Sequence, residues 1–450
     1  MAYNREHRLV GVPAVTALAD LGFASATSGV IARRRPASGL LERAGAESRV
    51  IERVRQLRRE FGSGPVELVV LGRRIAVLLD PADIGRVLGG APTPFHPANR
   101  EKRHPSRQFQ PHGALLSDGP IRAQRRALNE AALDAGAPLH HLATPFAAAI
   151  ADEARGMIDS ALRHGHLDAR QFTAHWWQLV RRIVLGERGR DDIVLTDELA
   201  RLRSAGSWSF LAPARRRQRD QFTDRLYRHV ESAPADSLAG TLATAPTGST
   251  ADLVGQIPHW LFAFDAAGSA LSRTMAVLST HPQHHARALG DACEPQRVAL
   301  RSYLRACVLE SVRLWPTTPI LLRDLTTDTQ WRDGDESFTI AAGATLIIAL
   351  SAFHRDSDLL PFADEFTPDI WLDGRAEQYP QLVPFSAGQT DCPGRNLVLF
   401  VTSTLLAHLL TAADFRPRSA ASLSPQMPLP VTVNTSGLDF TVEACLSRTR

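Results

Sequence analysis

Between residues 66 and 80 two apolar runs flank Gly72-Arg73-Arg74, the pattern of a β-hairpin and of an early small sheet. From residue 118 the period changes. Long Ala-, Leu- and Arg-rich stretches keep helical spacing to about residue 316, with no repeat of solenoid length. Loops are expected at residues 206–214 and 232–250, where Pro, Ala, Ser, Thr and Gly cluster. Leu300, Leu304, Cys307, Val308, Ser311 and Trp315 hold one helical face until Pro316 and Pro319 end it, so Glu310 and Arg313 share a helix. Short β-like runs follow at residues 338–340 and 345–350, the second after Gly343. A turn-rich stretch with little periodicity then runs to Leu397, and ordered coil of that length inside a compact domain is usually functional. The pattern predicts a mainly α fold with a small β-rich lobe, built as one domain over residues 1–450. Its parts are an irregular or helical lead-in (1–60), part of the β lobe (61–92), a helical lobe (118–316), and a closing region of β segments, meander, cysteine loop and C-terminal helix (317–450).

Composition narrows this picture. With 450 residues, 44% of them hydrophobic, the chain can bury a large core. A formal charge of +4 shows no concentrated basic excess, so no nucleic-acid partner is expected. Lys102 is the sole lysine, which reads as the codon bias of a GC-rich bacterial genome. Cys293, Cys307, Cys392 and Cys445 have no paired spacing, so neither a disulfide framework nor a zinc ribbon is expected, and a reducing cytoplasm fits. Residues 9–32 are interrupted by Pro13 and Asp20, too broken for a spanning helix despite the Arg33–Arg35 run that follows. A soluble, cytoplasmic protein without a membrane partner is the expectation.

The most informative local motif is Phe385-Ser-Ala-Gly388-Gln-Thr-Asp-Cys392-Pro-Gly394, leading into an apolar helical run from Arg395. A thiolate that binds heme iron needs a tight loop of small residues, so that backbone N–H groups face the sulfur and the porphyrin lies flat against it. The helix that follows turns its positive N-terminal end toward Cys392, which favours thiolate over thiol. The group His281-Pro-Gln-His284-His285 lacks a glutamate in register for a metal hydrolase and reads as solvated histidines.

The cysteine loop resembles that of the cytochrome P-450 family, and the resemblance extends along residues 300–410. Glu310-Ser-Val-Arg313 matches the family's E-x-x-R helix, followed by Arg323 after Pro319, by His354-Arg-Asp and by Phe366-Thr-Pro-Asp-Ile-Trp371. The resemblance implies the P-450 fold, a heme b cofactor and Cys392 as the iron ligand. It implies that Arg122 and Arg126, within Asp118-Gly-Pro-Ile-Arg122-Ala-Gln-Arg-Arg126, reach the propionates, a task suited to the bidentate guanidinium. Arg323, Phe385, Gly388 and Gly394 complete the implied cofactor contacts. Two positions depart from the family: Thr390 stands where an Arg or His is usual, and Ile370 where the meander arginine that joins Glu310 and Arg313 falls. Arg375 is a candidate to reach in instead.

Counting back from His281-Pro282 places Phe262-Ala263-Phe264-Asp265-Ala266-Ala267 on the family's distal-helix motif. The acid survives as Asp265; the alcohol that orders protons for dioxygen cleavage is replaced by Ala266. A substrate group can order the water instead, peroxide can serve as oxidant, or Asp265 with water can suffice. A bland reading pairs Asp265 with Arg273. The implied pocket is lined by Leu261, Phe264 and Ala267, by Thr318, Ile320 and Leu321, by residues 93–110 and 431–435, with Trp208 and Phe210 in the loop that caps it. The implied activity is a monooxygenase acting on a small apolar or amphipathic molecule, in bacterial secondary metabolism, served by a ferredoxin-type electron donor docking near Cys392 and Arg395. The alternatives are a peroxide-driven peroxygenase and a non-catalytic heme-binding accessory protein of a biosynthetic complex.

Overall fold

The structure is a computed structural model; it describes residues 7–22, 45–206, 213–242, 252–418 and 421–445. Trp208, Phe210 and the Arg33–Arg35 run lie outside the described residues.

Helices dominate, as the 3.6-residue period requires. Six of them build the site: α1 (Gly119–Ala132), α2 (Ala169–Leu185), α3 (Ile193–Gly206), α4 (Ile257–Thr280), α5 (Ser302–Leu314) and α6 (Arg395–Ala412). The main core fills the space among them, with Trp176, Phe264, Leu271, Leu304, Phe400 and Leu405 all buried. α6 is the one described helix long and apolar enough to cross a membrane, yet most of it is buried inside the protein, because α4 and α5 pack against it.

The hairpin is present as antiparallel strands Val66–Val70 and Arg73–Val77. The turn is Leu71-Gly72 rather than the three expected residues: both have positive φ, 49° and 77°, the left-handed conformation that matches strand twist in a two-residue hairpin. The hairpin sits within a six-stranded sheet in the spatial order Arg8–Val10, Val66–Val70, Arg73–Val77, Thr345–Ala349, Ile320–Leu325, Phe95–His96. The lead-in therefore contributes an edge strand, parallel to its neighbour, and the long helix Ala46–Phe61 that covers the sheet. The expected strand before Leu350 is there, and Glu336–Ile340 pairs with Thr329–Asp333, whose polar alternation hid it. The stretch before Leu397 is coil broken only by short turns of helix, among them Leu350–His354 and Pro368–Trp371.

Candidate active site

Cys392 is half-buried on a loop pinned by its own backbone: its N–H donates to Phe385 O at 2.9 Å, and Asp391 N–H to Gly388 O at 3.1 Å. Gly388 has φ +66°, and a Cβ there would stand 2.3 Å from Leu88 O, so only glycine lets the loop lie this close to its neighbour. Burial raises the thiol pKa, while the Gly394 N–H directed at the sulfur, with Arg126 and Arg395, acts to lower it. Phe385 packs beside Leu399 of α6, Val308 of α5 and Ala270 of α4, so the loop faces the middle of α4.

Behind the loop, Glu310 and Arg313 are fully buried and joined at 2.7 Å and 2.9 Å. Arg313 also donates to the carbonyls of His354, Phe362, Ala363 and Glu365, tying the coil to α5. The third member that Ile370 cannot supply is Trp371, whose Nε1–H donates to Glu310 Oε2 at 2.9 Å, with Thr367 N–H on Oε1. Arg375 does not reach in; it is paired with Asp373 on the surface.

A cluster of cations lies at the edge of this space. Arg323 is 3% exposed, donates to Thr390 Oγ1 at 3.0 Å, and leaves Nε without any partner. Burial, with Arg122 beside it, pulls its pKa down to about 10, and it makes no ion pair with a carboxylate among the described residues. Lys102, enclosed beside Arg323, donates to the Pro97 and Leu322 carbonyls. A buried arginine without a counter-ion is costly, and carboxylates of a bound group would relieve Arg122 and Arg323 together. Arg126 points elsewhere: it pairs with Glu130 and donates to Asp391 O at 2.6 Å, so it braces the cysteine loop rather than joining Arg122. Lys102 was missed from the sequence, although its being the one lysine among so many arginines was a signal.

Helix α4 supplies the opposite wall. His259, Phe262, Ala263 and Ala266 recur at i, i+3, i+4 and i+7 and are all partly accessible, forming one face of a helix whose other partly accessible residues are Asp265, Ser269, Arg273, Ser279 and Thr280. Leu261 and Phe264, expected in the pocket, lie on the back: Leu261 is wholly buried and Phe264 packs on Trp176 of α2. Trp176 Nε1–H donates to Phe264 O at 2.9 Å, and a Cβ at Gly268 would meet that indole nitrogen at 2.6 Å. Ala267 is buried at the flank. Ile320 turns to the far side of its strand, into the core with Val54 and Leu57, whereas Leu321, on the other face, packs on the separate apolar cluster that Ala387 of the cysteine loop also borders. Thr318 is half-buried just before that strand.

Asp265 is paired with Arg203 of α3 at 2.9 Å, not with Arg273, whose donors go to the carbonyls of Val433 and Trp315. Arg203 also stands over the Phe262 ring, 4.7 Å from its centroid.

A half-buried thiol on a glycine-cradled loop, uncompensated arginines at the rim and an apolar helix face opposite fit an iron porphyrin with two carboxylates: Cys392 would hold the iron, and Arg122 and Arg323 the propionates. A family model described as cytochrome P-450 matches residues 256–441. A probable cytochrome P-450 312a1 of Drosophila melanogaster is 27% identical over 185 residues, 38% of this chain and 36% of that protein. Cyclooctat-9-en-7-ol 5-monooxygenase of Streptomyces melanosporofaciens is 28% identical over 222 residues, 45% of this chain and 48% of that protein. The match thus spans about a third to a half of the length of these relatives. The retinoic acid bound cyanobacterial CYP120A1 shares the fold, with a TM-score of 0.70 and 19% identity over 87% of this chain and 93% of that one. Fold and site define a heme-thiolate protein. Over residues 256–441 the chain matches the cytochrome P-450 family, whose cofactor is heme b, and its fold is that of the cyanobacterial structure.

Proposed function

We propose that the protein is a monooxygenase that oxidises a small apolar or amphipathic molecule held between the Cys392 loop and α4. The observation that carries this reading is the opposition of the Cys392 loop to an accessible, largely apolar helix face that bears Ala266. When bound, heme supplies the oxidising chemistry of its iron, with the thiolate pushing electron density to favour O–O cleavage. The protein's own part is to exclude water, orient the substrate and move protons. Ala266 offers no hydroxyl, so a substrate group orders the water there. Asp265, held on Arg203 through Oδ2, is the group assigned to exchange a proton with that water.

The pairing of Asp265 with Arg203 favours one second reading, in which peroxide replaces dioxygen and no proton relay is needed. A non-catalytic accessory role is disfavoured by the intact Cys392 loop and the Glu310–Arg313 network. A ferredoxin-type donor would dock beside the loop, where Arg395 is exposed and Arg305 lies near Asn396. Cys293, Cys307 and Cys392, outside any disulfide, support a reducing cytoplasm, and the Streptomyces relative, named as a monooxygenase, supports a place in bacterial secondary metabolism. Substrate-dependent consumption of dioxygen or of peroxide tests the reading and separates the two oxidants; consumption of neither by heme-loaded protein leaves the accessory role.

A further inference from the structure

The accessible face of α4 carries one polar ring that the reading above does not use. His259 stands two helical turns before Ala266, about 10 Å along the axis. Its Nδ1 meets Gln110 Oε1 at 3.0 Å. That oxygen only accepts, so Nδ1 carries the ring proton and Nε2 keeps its lone pair. Burial pulls the His259 pKa down to about 4, so the ring is neutral near pH 7. Nε2 has no hydrogen-bond partner among the described residues, and the ring is partly accessible on the same face as Phe262, Ala263 and Ala266. Two aromatic rings flank it: the Phe262 ring lies 5.8 Å away, with Arg203 over that ring, and Phe109 lies 6.0 Å from Phe262. A neutral acceptor among aromatic rings is costly to leave unpaired once a substrate has displaced water.

We propose that His259, its tautomer set by Gln110, is a specificity-determining residue that accepts a hydrogen bond from a hydroxyl or N–H group of the substrate, about 10 Å from the position oxidised beside Ala266. The substrate class is then an apolar skeleton bearing one donor remote from the oxidised carbon. A carboxylate is disfavoured at that end, because the Nε2 lone pair repels an anion. The inference rests on the heme-thiolate reading.

The test uses the ferric, heme-loaded protein and a series of 1-alkylimidazoles ending in methyl, hydroxyl or carboxylate. Imidazole binds the iron and shifts the Soret band, so one end of each probe is anchored and affinity is read spectrally. Once the chain spans about 10 Å, hydroxyl-ended probes are expected to bind about threefold to tenfold tighter than methyl-ended ones, and carboxylate-ended ones no tighter. The preference should vanish in His259→Phe, weaken in Gln110→Leu and partly survive in His259→Gln, whose amide oxygen can accept. Equal wild-type affinities at every length, or a hydroxyl preference that persists in His259→Phe, overturns the proposal. Failure of imidazole itself to shift the spectrum is a different failure: it removes the heme-thiolate reading and this proposal with it.

Discussion

Trp371 donates its indole N–H to Glu310 at 2.9 Å, completing a buried network with Arg313 in which both charged side chains are inaccessible to solvent. A neutral donor serves as well as a cation here, since Glu310 and Arg313 already balance each other and only the remaining carboxylate lone pairs need partners. Trp371→Phe should therefore lower stability by about 1.5–3 kcal/mol, the cost of losing a hydrogen bond to a buried charged group. Arg375→Ala, which removes a surface pair with Asp373, should leave stability unchanged. Urea unfolding of the two variants checks this.

The uncompensated arginines give a prediction for cofactor retention. Arg323→Met and Arg122→Met should each release heme to an excess of apomyoglobin about tenfold faster than wild type, as for loss of a charge-assisted contact. Arg126→Met should have a smaller effect on that rate, because Arg126 holds Asp391 O rather than facing Arg323. Equal effects of the three changes would reverse these assignments.

Proton delivery can be probed at two neighbouring positions. Ala266→Thr adds a hydroxyl next to Asp265 where a substrate group already orders the water, so product formed per reducing equivalent should stay unchanged or fall when dioxygen is the oxidant; a rise would show that the substrate supplies no such group. Arg203→Leu removes the partner of Asp265 and should change the solvent isotope effect on turnover. If Arg203→Leu leaves the isotope effect unchanged, Asp265 is not on the proton route.

What the sequence revealed was local. The Cys392 loop, the Glu310–Arg313 spacing and the Val66–Val77 hairpin are each written within a few residues, so their chemistry can be read without the fold. Side-chain direction across the fold was less legible. Aligning residues 262–267 on a motif gives their order but not their rotation about α4, so the motif alone places Leu261 and Phe264 in the pocket, whereas the helix turns them behind it. The destination of Arg126 depends on Asp391, which is 265 residues away. Strand Arg8–Val10 was hidden because an edge strand of three residues carries too short a pattern to show a period.

Buried histidines should make the protein sensitive to acid. His354 is wholly buried, with its pKa pulled down to about 3 by burial and by Arg313, opposed by the Gln381 carbonyl. A histidine whose folded pKa lies below its unfolded value is protonated only in the unfolded chain across the interval between them. Stability contributed by the neutral form is thus full above about pH 6.5 and is lost as pH falls toward 3. Between pH 7 and pH 4.5 this single group should cost on the order of 2–3 kcal/mol. Urea unfolding across that range should show the decline, with a shallower slope in His354→Gln.

The central claim is that Cys392 ligates heme. Reducing the purified, heme-loaded protein, adding carbon monoxide and recording its absorption spectrum beside a Cys392→Ala control tests it most directly. A strongly red-shifted Soret band that disappears in the control is the predicted result. An unshifted band, or a shifted one that survives loss of Cys392, would contradict the account.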